Sequence, residues 1–286
     1  MGNKTDCLLY KDTALGSSDI TNKDLRLSIE LTLNGFSFSV DSMPQGLHLA
    51  VGSYTFRYGQ ASEQRLLAAL VNVLETEPDI SQLTFSTTHA MFLDTEFTML
   101  PSELFSNEKA SEYLGFTLGR EIAPESASYD VVEKYGMTCV YRFPQSIVDY
   151  LSSRCEVFER RHSSSVFLSS AAPMSLGTSI HVNADFGFMQ VVVFKDGMPV
   201  LVNVFDIKSP DDFSYYLLSA CNQTGTDEKD AEFVFSGSPQ EYIRQRNALA
   251  RHFPRRKFAV RKHPELFSDA LDFVAQYEYY NILNGL

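Results

Sequence analysis

Ser28-Ile29-Glu30-Leu31-Thr32-Leu33-Asn34-Gly35-Phe36-Ser37-Phe38-Ser39-Val40 reads as a strand, a tight turn and a second strand, because Asn34-Gly35 tolerates the positive φ angles of a hairpin. Extended outward, Leu25–Leu33 and Phe36–Val40 flank that turn and Leu47–Phe56 supplies a third strand. Helix Glu63–Leu74 and a short apolar strand at Gln82–Phe85 follow. The same order returns from Ile180 to Ser236: strands His181–Asp185 and Met189–Phe194 around a Phe186-Gly187 turn, a Lys195-Asp196-Gly197 turn, strand Val200–Phe205, helix Asp211–Asn222 and strand Glu232–Phe235. An internal duplication of this kind constrains fold far more than reaction.

The second helix is the best-specified element. Ser209 is a good N-cap, Pro210 fits the first helical position, and Asp211 and Asp212 put negative charge on the positive end of the helix dipole. Phe213, Tyr216, Leu217 and Ala220 then form one apolar stripe. Between the repeats, Leu100-Pro101-Ser102-Glu103-Leu104-Phe105 reads as a short helix, followed by a helix near Glu108–Phe116, strands Ser128–Val132 and Thr138–Arg142, and helix Gln145–Ser153. The tract Ser163–Gly177 contains one apolar knot, Val166-Phe167-Leu168, and otherwise reads as a strand with a flexible connection into the second meander. Beyond Phe235 the expectation is helix Pro239–Arg251, strand Lys257–Val260 and helix Leu266–Asn281, with Tyr277, Tyr279 and Tyr280 packed on that last layer. The expected division is a polar segment 1–24, a first lobe 25–153 and a second lobe 154–286.

Composition narrows the class without naming a reaction. The 286 residues are 44% hydrophobic, enough to bury a real core. No run approaches the roughly 20 apolar residues that span a bilayer, and Cys7-Leu8-Leu9-Tyr10 is too short for the apolar part of a secretory signal. Four scattered cysteines suggest neither zinc nor a disulfide framework, so a cytoplasmic location is expected. The net charge of −12 argues against nucleic-acid binding by the whole surface. It is unevenly spread: Arg244, Arg246, Arg251, Arg255, Arg256, Lys257, Arg261 and Lys262 fall in one span without an acid. That span is either a solvated face complementing an acidic body or, through Arg244, Arg251, Arg255 and Arg256, a surface for an acidic partner.

The repeated order, together with Leu201-Val202-Asn203-Val204-Phe205, Asp211-Asp212-Phe213-Ser214-Tyr215-Tyr216-Leu217-Leu218, Phe235-Ser236-Gly237 and the earlier Leu100–Phe105 stretch, resembles an uncharacterised bacterial family classed as a domain of unknown function. That family is similar to the actin-like ATPases, notably the pilus-assembly member. The resemblance covers nearly the whole chain and implies an α/β fold of two duplicated ribonuclease-H-like lobes with a central cleft. It also implies where a nucleotide would sit. In such ATPases the first hairpin of each half offers an Asp and glycines to the phosphates and their magnesium ion, since turn N–H groups form an anion nest and the carboxylate anchors the metal's waters.

The candidate binding residues follow from that resemblance. At the first hairpin only Asn34 and Gly35 are present, without the Asp-x-Gly pattern, and a plain hairpin explains them. At the second, Asp185-Phe186-Gly187 matches the pattern, although a turn whose Asp caps local N–H groups and whose Gly takes a positive φ is the favoured account. Where the superfamily usually carries Gly-Gly against the adenosine, this chain has Ser236 and Gly237. No Gly-rich loop with its lysine strand or H-R-D loop makes Asp-Phe-Gly a kinase motif, and no P-loop, G-x-G-x-x-G, H-E-x-x-H or G-x-S-x-G is present. The six histidines are isolated in sequence. No catalytic or metal-ligating residue is therefore assigned. The expectation is a catalytically reduced protein that acts through a partner; the alternative is an ATPase or small-molecule kinase that uses ATP and magnesium in the cleft.

Overall fold

A computed structural model describes residues 6–12, 15, 24–56, 61–237 and 252–284. The first sheet contains β1 (Asp6–Lys11), β2 (Leu25–Thr32), β3 (Gly35–Ser42), β4 (Leu47–Thr55), β5 (Thr87–Phe92) and, further along the chain, β9 (Val157–His162), in the spatial order β1-β4-β3-β2-β5-β9. The second contains β10 (Thr178–Asp185), β11 (Phe188–Lys195), β12 (Met198–Asp206), β13 (Glu232–Gly237) and β14 (Arg256–Phe258), in the order β12-β11-β10-β13-β14. In both, an antiparallel meander is joined by two strands that run parallel to its first strand. The duplication is thus a duplication of sheet topology, with β1 added at one edge of the first copy. Each half is a ribonuclease-H-like lobe.

Alternation along the strands decides what each sheet face meets. Leu25, Leu27, Ile29 and Leu31 of β2 pack with helix α1 (Glu63–Thr76) through Leu66, Leu70, Val73 and Leu74, and with α3 (Gln145–Ser152) through Ile147 and Leu151. Each such leucine withdrawn from water contributes about 2 kcal/mol. The second sheet repeats the arrangement, with Ile180, Val182, Ala184, Met189, Val191 and Val193 meeting Phe213, Leu217 and Ala220 of α5 (Pro210–Thr224). The start of α5 is fixed by the Asp212 carboxylate, which accepts hydrogen bonds from Ser209 N at 2.7 Å and Lys208 N at 2.8 Å and is held below the usual carboxylate range by them. Gly225 at φ 58° ends the helix.

Between the sheets lie two short helices, α4 (Ser163–Ser170) and α6 (Tyr280–Asn284). Val166 of α4 and Ile282 and Leu283 of α6 join Val51 and Met91 of the first sheet, while Phe167, Leu168 and Tyr280 join Val192, Phe194 and Val234 of the second. The first part of the tract expected as a strand and a flexible connection, Ser163–Ser170, is therefore a helix. Its serines close hydrogen bonds on the preceding turn, Ser169 Oγ to Ser165 O and Ser170 Oγ to Val166 O, both at 2.8 Å. The expected helix Leu266–Asn281 is also replaced, by 3-10 turns at Pro264–Leu266 and Asp269–Leu271 and by α6. This tail leaves the second lobe and crosses to the first, where Phe267 bridges His48 and Tyr279 reaches Ser53 Oγ at 3.3 Å. Of the other two tyrosines, Tyr277 stacks on Phe258 and Tyr280 donates to Ser170 O.

Three further placements depart from the sequence reading. The apolar residues Leu83 and Phe85 are buried in a loop, and the strand that follows α1 is Thr87–Phe92. Strand β9, from beyond the division expected at residue 153, pairs with β5 in the first sheet. The intervening segment forms a third sheet, β6 (Phe97–Pro101), β8 (Met137–Arg142) and β7 (Ala127–Val132) in that order, backed by α2 (Ala110–Leu118), which β6 reaches through 3-10 turns at Ser102–Leu104 and Asn107–Lys109 in place of the expected short helix. Asp130 of β7 satisfies the outer edge of β9 by accepting from His162 N at 2.7 Å. Val132, Met99 and Met137 of the same sheet pack with Val192 and Val202 of the second lobe. The expected helix Pro239–Arg251 lies outside the described residues.

Candidate functional site

Register places the two candidate hairpins in equivalent positions. Thr32 pairs with Gly35 across the Leu33-Asn34 turn, and Asp185 pairs with Phe188 across the Phe186-Gly187 turn. The first turn is therefore one residue earlier than expected: Gly35 begins β3, and neither Leu33 nor Asn34 has positive φ. The second turn is as expected, with φ 51° at Phe186 and 79° at Gly187. Superposed by register, Thr32 stands where Asp185 stands, and Asn34 where Gly187 stands.

The tips of the two hairpins touch. Asn34 Nδ2 donates to Phe186 O at 2.9 Å, and a Cβ placed on Gly187 would come within 3.5 Å of that same Nδ2. Gly35 is required by proximity as well as by its φ of 157°. A Cβ there would collide with the Tyr54 carbonyl oxygen and lie 2.8 Å from Phe186 Cδ1. Phe186 is buried at this junction, and Phe188 and Val204 of the second lobe join the apolar core of the first. Thr32 Oγ1 is turned inward to its own hairpin, donating to Gly35 O and accepting from Asn34 N, each at 3.0 Å. Asp185 Oδ1 accepts from Phe186 N at 3.1 Å, the local capping role.

Ser236 and Gly237 end β13 below these turns. Ser236 is 2% exposed and donates to Val182 O at 3.2 Å and Asn183 Oδ1 at 3.0 Å. Gly237, at φ 102°, has the Ala184 carbonyl where a Cβ would go, and its N–H donates to Tyr277 O at 2.8 Å. All six candidate residues therefore lie at or near the junction of the lobes, and each is engaged in hydrogen bonds or close packing.

A buried polar chain that the sequence reading missed runs beneath the hairpins. Glu30, 3% exposed, accepts from Asn281 Nδ2 at 2.7 Å; the same nitrogen donates to Gln190 Oε1 at 2.8 Å. Asn183 Nδ2 donates to Gln190 Oε1 at 3.0 Å, and Ser236 completes the chain through Asn183. It joins β2, α6, β11, β10 and β13, and so ties one lobe to the other. Burial pushes the Glu30 carboxyl up, against the opposing pull of its hydrogen bonds. At the far end of β3, Asp41 is 1% exposed; burial pushes it up, but the His48 hydrogen bond at 2.6 Å, the charges of His48 and Arg26, and Ser39 together hold it below the usual range. The partners were 251 residues apart for Glu30 and Asn281, and no spacing in sequence signals such a pair.

The basic span divides in the structure. Arg261 is buried and donates to the Val274 and Ala275 carbonyls, Lys257 pairs with Glu232 at 2.7 Å, and Arg255 and Arg256 are exposed with guanidinium contacts to the Asp230 and Phe253 carbonyls. Arg244, Arg246 and Arg251 lie outside the described residues. Among the described residues no group of three or more His, Cys, Asp or Glu side chains could hold a metal ion, and no helix is long and apolar enough to cross a membrane.

A family model described as a protein of unknown function, DUF3822, matches residues 17–255. Among solved structures, a Bacteroides thetaiotaomicron protein with an actin-like ATPase fold and unknown function is 21% identical, with a TM-score of 0.68 over 85% of this chain and 94% of that one. A PilM–PilN type IV pilus biogenesis complex matches at 14% identity and TM-score 0.44, covering 79% of this chain and 73% of that one. An exopolyphosphatase from Cytophaga hutchinsonii matches at 9% and 0.37, covering 80% and 74%. No curated protein matches. The first of these likenesses, with the repeated strand order, makes the fold actin-like.

Proposed function

This chain belongs to the DUF3822 family of proteins of unknown function, and from that premise we propose that it is a cytoplasmic actin-like-fold protein that works by binding a partner rather than by turning over a nucleotide. The observation that carries the reading is the contact between the hairpin tips. The resemblance to actin-like ATPases would put phosphates between them, whereas here Asn34 is hydrogen-bonded to Phe186 and the Phe186 ring lies against Gly35. The residues at the junction do not fit a triphosphate and its magnesium ion. Thr32 replaces one of the two carboxylates, Asp185 is turned to its own backbone, and the buried Ser236 side chain occupies a position that the resemblance gives to glycine.

A partner-binding role uses what such a fold still offers, two lobes held in one geometry and a third small sheet packed across them. An acidic partner at Arg255 and Arg256, with Arg244 and Arg251, is the form of this proposal that the charge distribution suggests. The test is calorimetry of the purified chain with ATP and magnesium. No heat of binding is expected at micromolar protein. Micromolar binding that disappears in Asp185→Ala would overturn the proposal in favour of an ATP-dependent protein, and phosphate release would then separate an enzyme from a nucleotide switch.

A further inference from the structure

Glu30 is a buried carboxyl without a cation. Among the described residues no Lys or Arg pairs with it, and the ionisable group that acts on it is His162. That ring brings no charge, because its Nδ1 accepts from Ser164 N at 3.1 Å and so carries no proton, while Nε2 lies 3.4 Å from Asp94 Oδ1. The same bond occupies the Ser164 N–H at the start of α4, a donor that would otherwise favour an anion.

The oxygens around Glu30 are equally short of partners. Ser37 lies directly opposite it on β3, Ser163 begins α4 beside its carboxyl, and Asn281 of α6 holds Oε1 through Nδ2 at 2.7 Å. Ser37 Oγ, Ser163 Oγ and Asn281 Oδ1 are buried and have no hydrogen-bond partner among the described residues. None of the four residues is more than 3% exposed. A hydroxyl next to a buried carboxylate ordinarily donates to it, since leaving either group unpaired in the interior is costly. Here Ser37 makes no such bond, and Ser163 comes close enough to lower the carboxyl's pKa without the geometry of one. Oxygen lone pairs gathered about one negative charge are the surroundings of a hard metal ion.

We propose that Glu30, Ser37, Ser163 and Asn281 bind one monovalent metal cation, sodium or potassium, between the lobes. All four donors are oxygens and three of them are neutral, so one positive charge balances the single carboxylate. A divalent ion would leave a net charge in the interior, and calcium or magnesium sites draw on further carboxylates or on several waters. The cation would join β2 and β3 of the first lobe to α4 and α6 of the middle layer, beside the Asn281–Gln190 bond that continues into the second sheet. It is a clamp within the closed fold, and it stands or falls independently of any partner.

The experiment is thermal melting of the full chain at a pH of about 8–9, where protons compete least for a carboxylate. Sodium or potassium chloride replaces choline chloride from roughly 1 to 100 mM at constant ionic strength, so that general screening does not change. A cation that binds only the folded chain should raise Tm by about 4 °C or more across that range in at least one of the two salts. Glu30→Gln keeps the shape and removes the charge; it should lose the response. Ser37→Ala and Ser163→Ala should each move the response to about tenfold higher salt, and they carry the test if Glu30→Gln does not fold. A wild-type midpoint that stays still as either metal replaces choline overturns the proposal. So does an undiminished response in Glu30→Gln or in both serine variants. A rise with calcium or magnesium but with neither sodium nor potassium overturns it as well, by giving the site to a divalent ion.

Discussion

Thr32-Leu33-Asn34-Gly35 and Asp185-Phe186-Gly187-Phe188 occupy the same place in the two lobes, and they solve the same turn with different chemistry. The second turn takes positive φ at both central residues, 51° and 79°, the hairpin geometry whose twist matches its strands. The first has no such angles, and its glycine sits one position later, where it admits the tip of the other hairpin. Each half thus has a different function in the junction: the second projects Phe186, and the first is hollowed to receive it. A cleft built to bracket a ligand would keep both tips apart. Here the lobes are closed on one another.

The same contrast continues down the strands. Glu30 and Asn183 each lie two residues before the equivalent positions Thr32 and Asp185, one anionic and one neutral, and Asn281 from α6 joins them through Gln190. Removing that link should have the largest effect on the closed arrangement. Asn281→Ala takes one buried donor from both Glu30 and Gln190, the latter keeping Asn183 Nδ2, and should lower stability by roughly 3 kcal/mol in urea unfolding. A loss below about 1 kcal/mol would mean that water replaces the amide and that the polar chain does not join the lobes.

These inner positions also explain what the sequence disclosed and what it hid. The meanders, α1 and α5 were legible because turn residues and apolar periodicity are local signals, and α5 in addition carries its own cap. Helix α4 was not, because seven of its eight residues are buried and it meets both sheets, so no polar face gives it a helical period. Its serines, which in a loop would suggest flexibility, instead bond to the preceding turn. Strand β9, Val157-Phe158-Glu159-Arg160-Arg161-His162, is an edge strand that exposes most of its residues and lacks an apolar alternation. Arg26, Ser28, Glu30 and Thr32 alternate with leucines and isoleucine as they would on a solvent-facing sheet, yet the last three are buried by the middle layer. The candidate turns could be found from the sequence. Their contact could not, since Asn34 and Phe186 are 152 residues apart.

Alanine at the two hairpin glycines separates the two turns further. At Gly35 the added Cβ meets a backbone carbonyl and the Phe186 ring, so Gly35→Ala should cost about 2–3 kcal/mol through overpacking at the junction. At Gly187 the nearest atoms are 3.5 and 3.6 Å away and only the φ of 79° opposes a side chain, so Gly187→Ala should cost about 1–2 kcal/mol. Denaturant melts of both variants test the order. Equal losses would show that backbone conformation, not contact between the lobes, decides both positions.

Two buried carboxyls of the first lobe should respond to pH in opposite directions. Burial raises the folded-state pKa of Glu30, so its contribution is present below the ordinary glutamate range and lost as pH rises through the raised value. Asp41 is held low, chiefly by His48 and Arg26 against its burial; its contribution is present above the ordinary aspartate range and lost as pH falls through the lowered value. Glu30→Gln, which cannot ionise, should flatten the alkaline-side decline by up to about 1.4 kcal/mol per pH unit, and Asp41→Asn should flatten the acid side. A stability profile for Glu30→Gln parallel to that of the wild type would show that Glu30 keeps one protonation state in the folded and unfolded chain.

The smallest effect belongs to the hydrogen bond between Asn34 and Phe186 at the hairpin tips. Asn34 Nδ2 donates to a main-chain carbonyl, that of Phe186, so Asn34→Ala removes the donor while the acceptor stays in place. Asn34 is only partly buried, and water can reach the freed carbonyl, which limits the loss to about 1 kcal/mol. The Phe186 ring against Gly35 is untouched by the change. The variant should therefore remain closed, with an unaltered denaturant slope and no gain of ATP binding in calorimetry. If Asn34→Ala alone admitted ATP and magnesium, the hydrogen bond rather than the ring would be what closes the junction, and the two hairpins would differ less than their contacts imply.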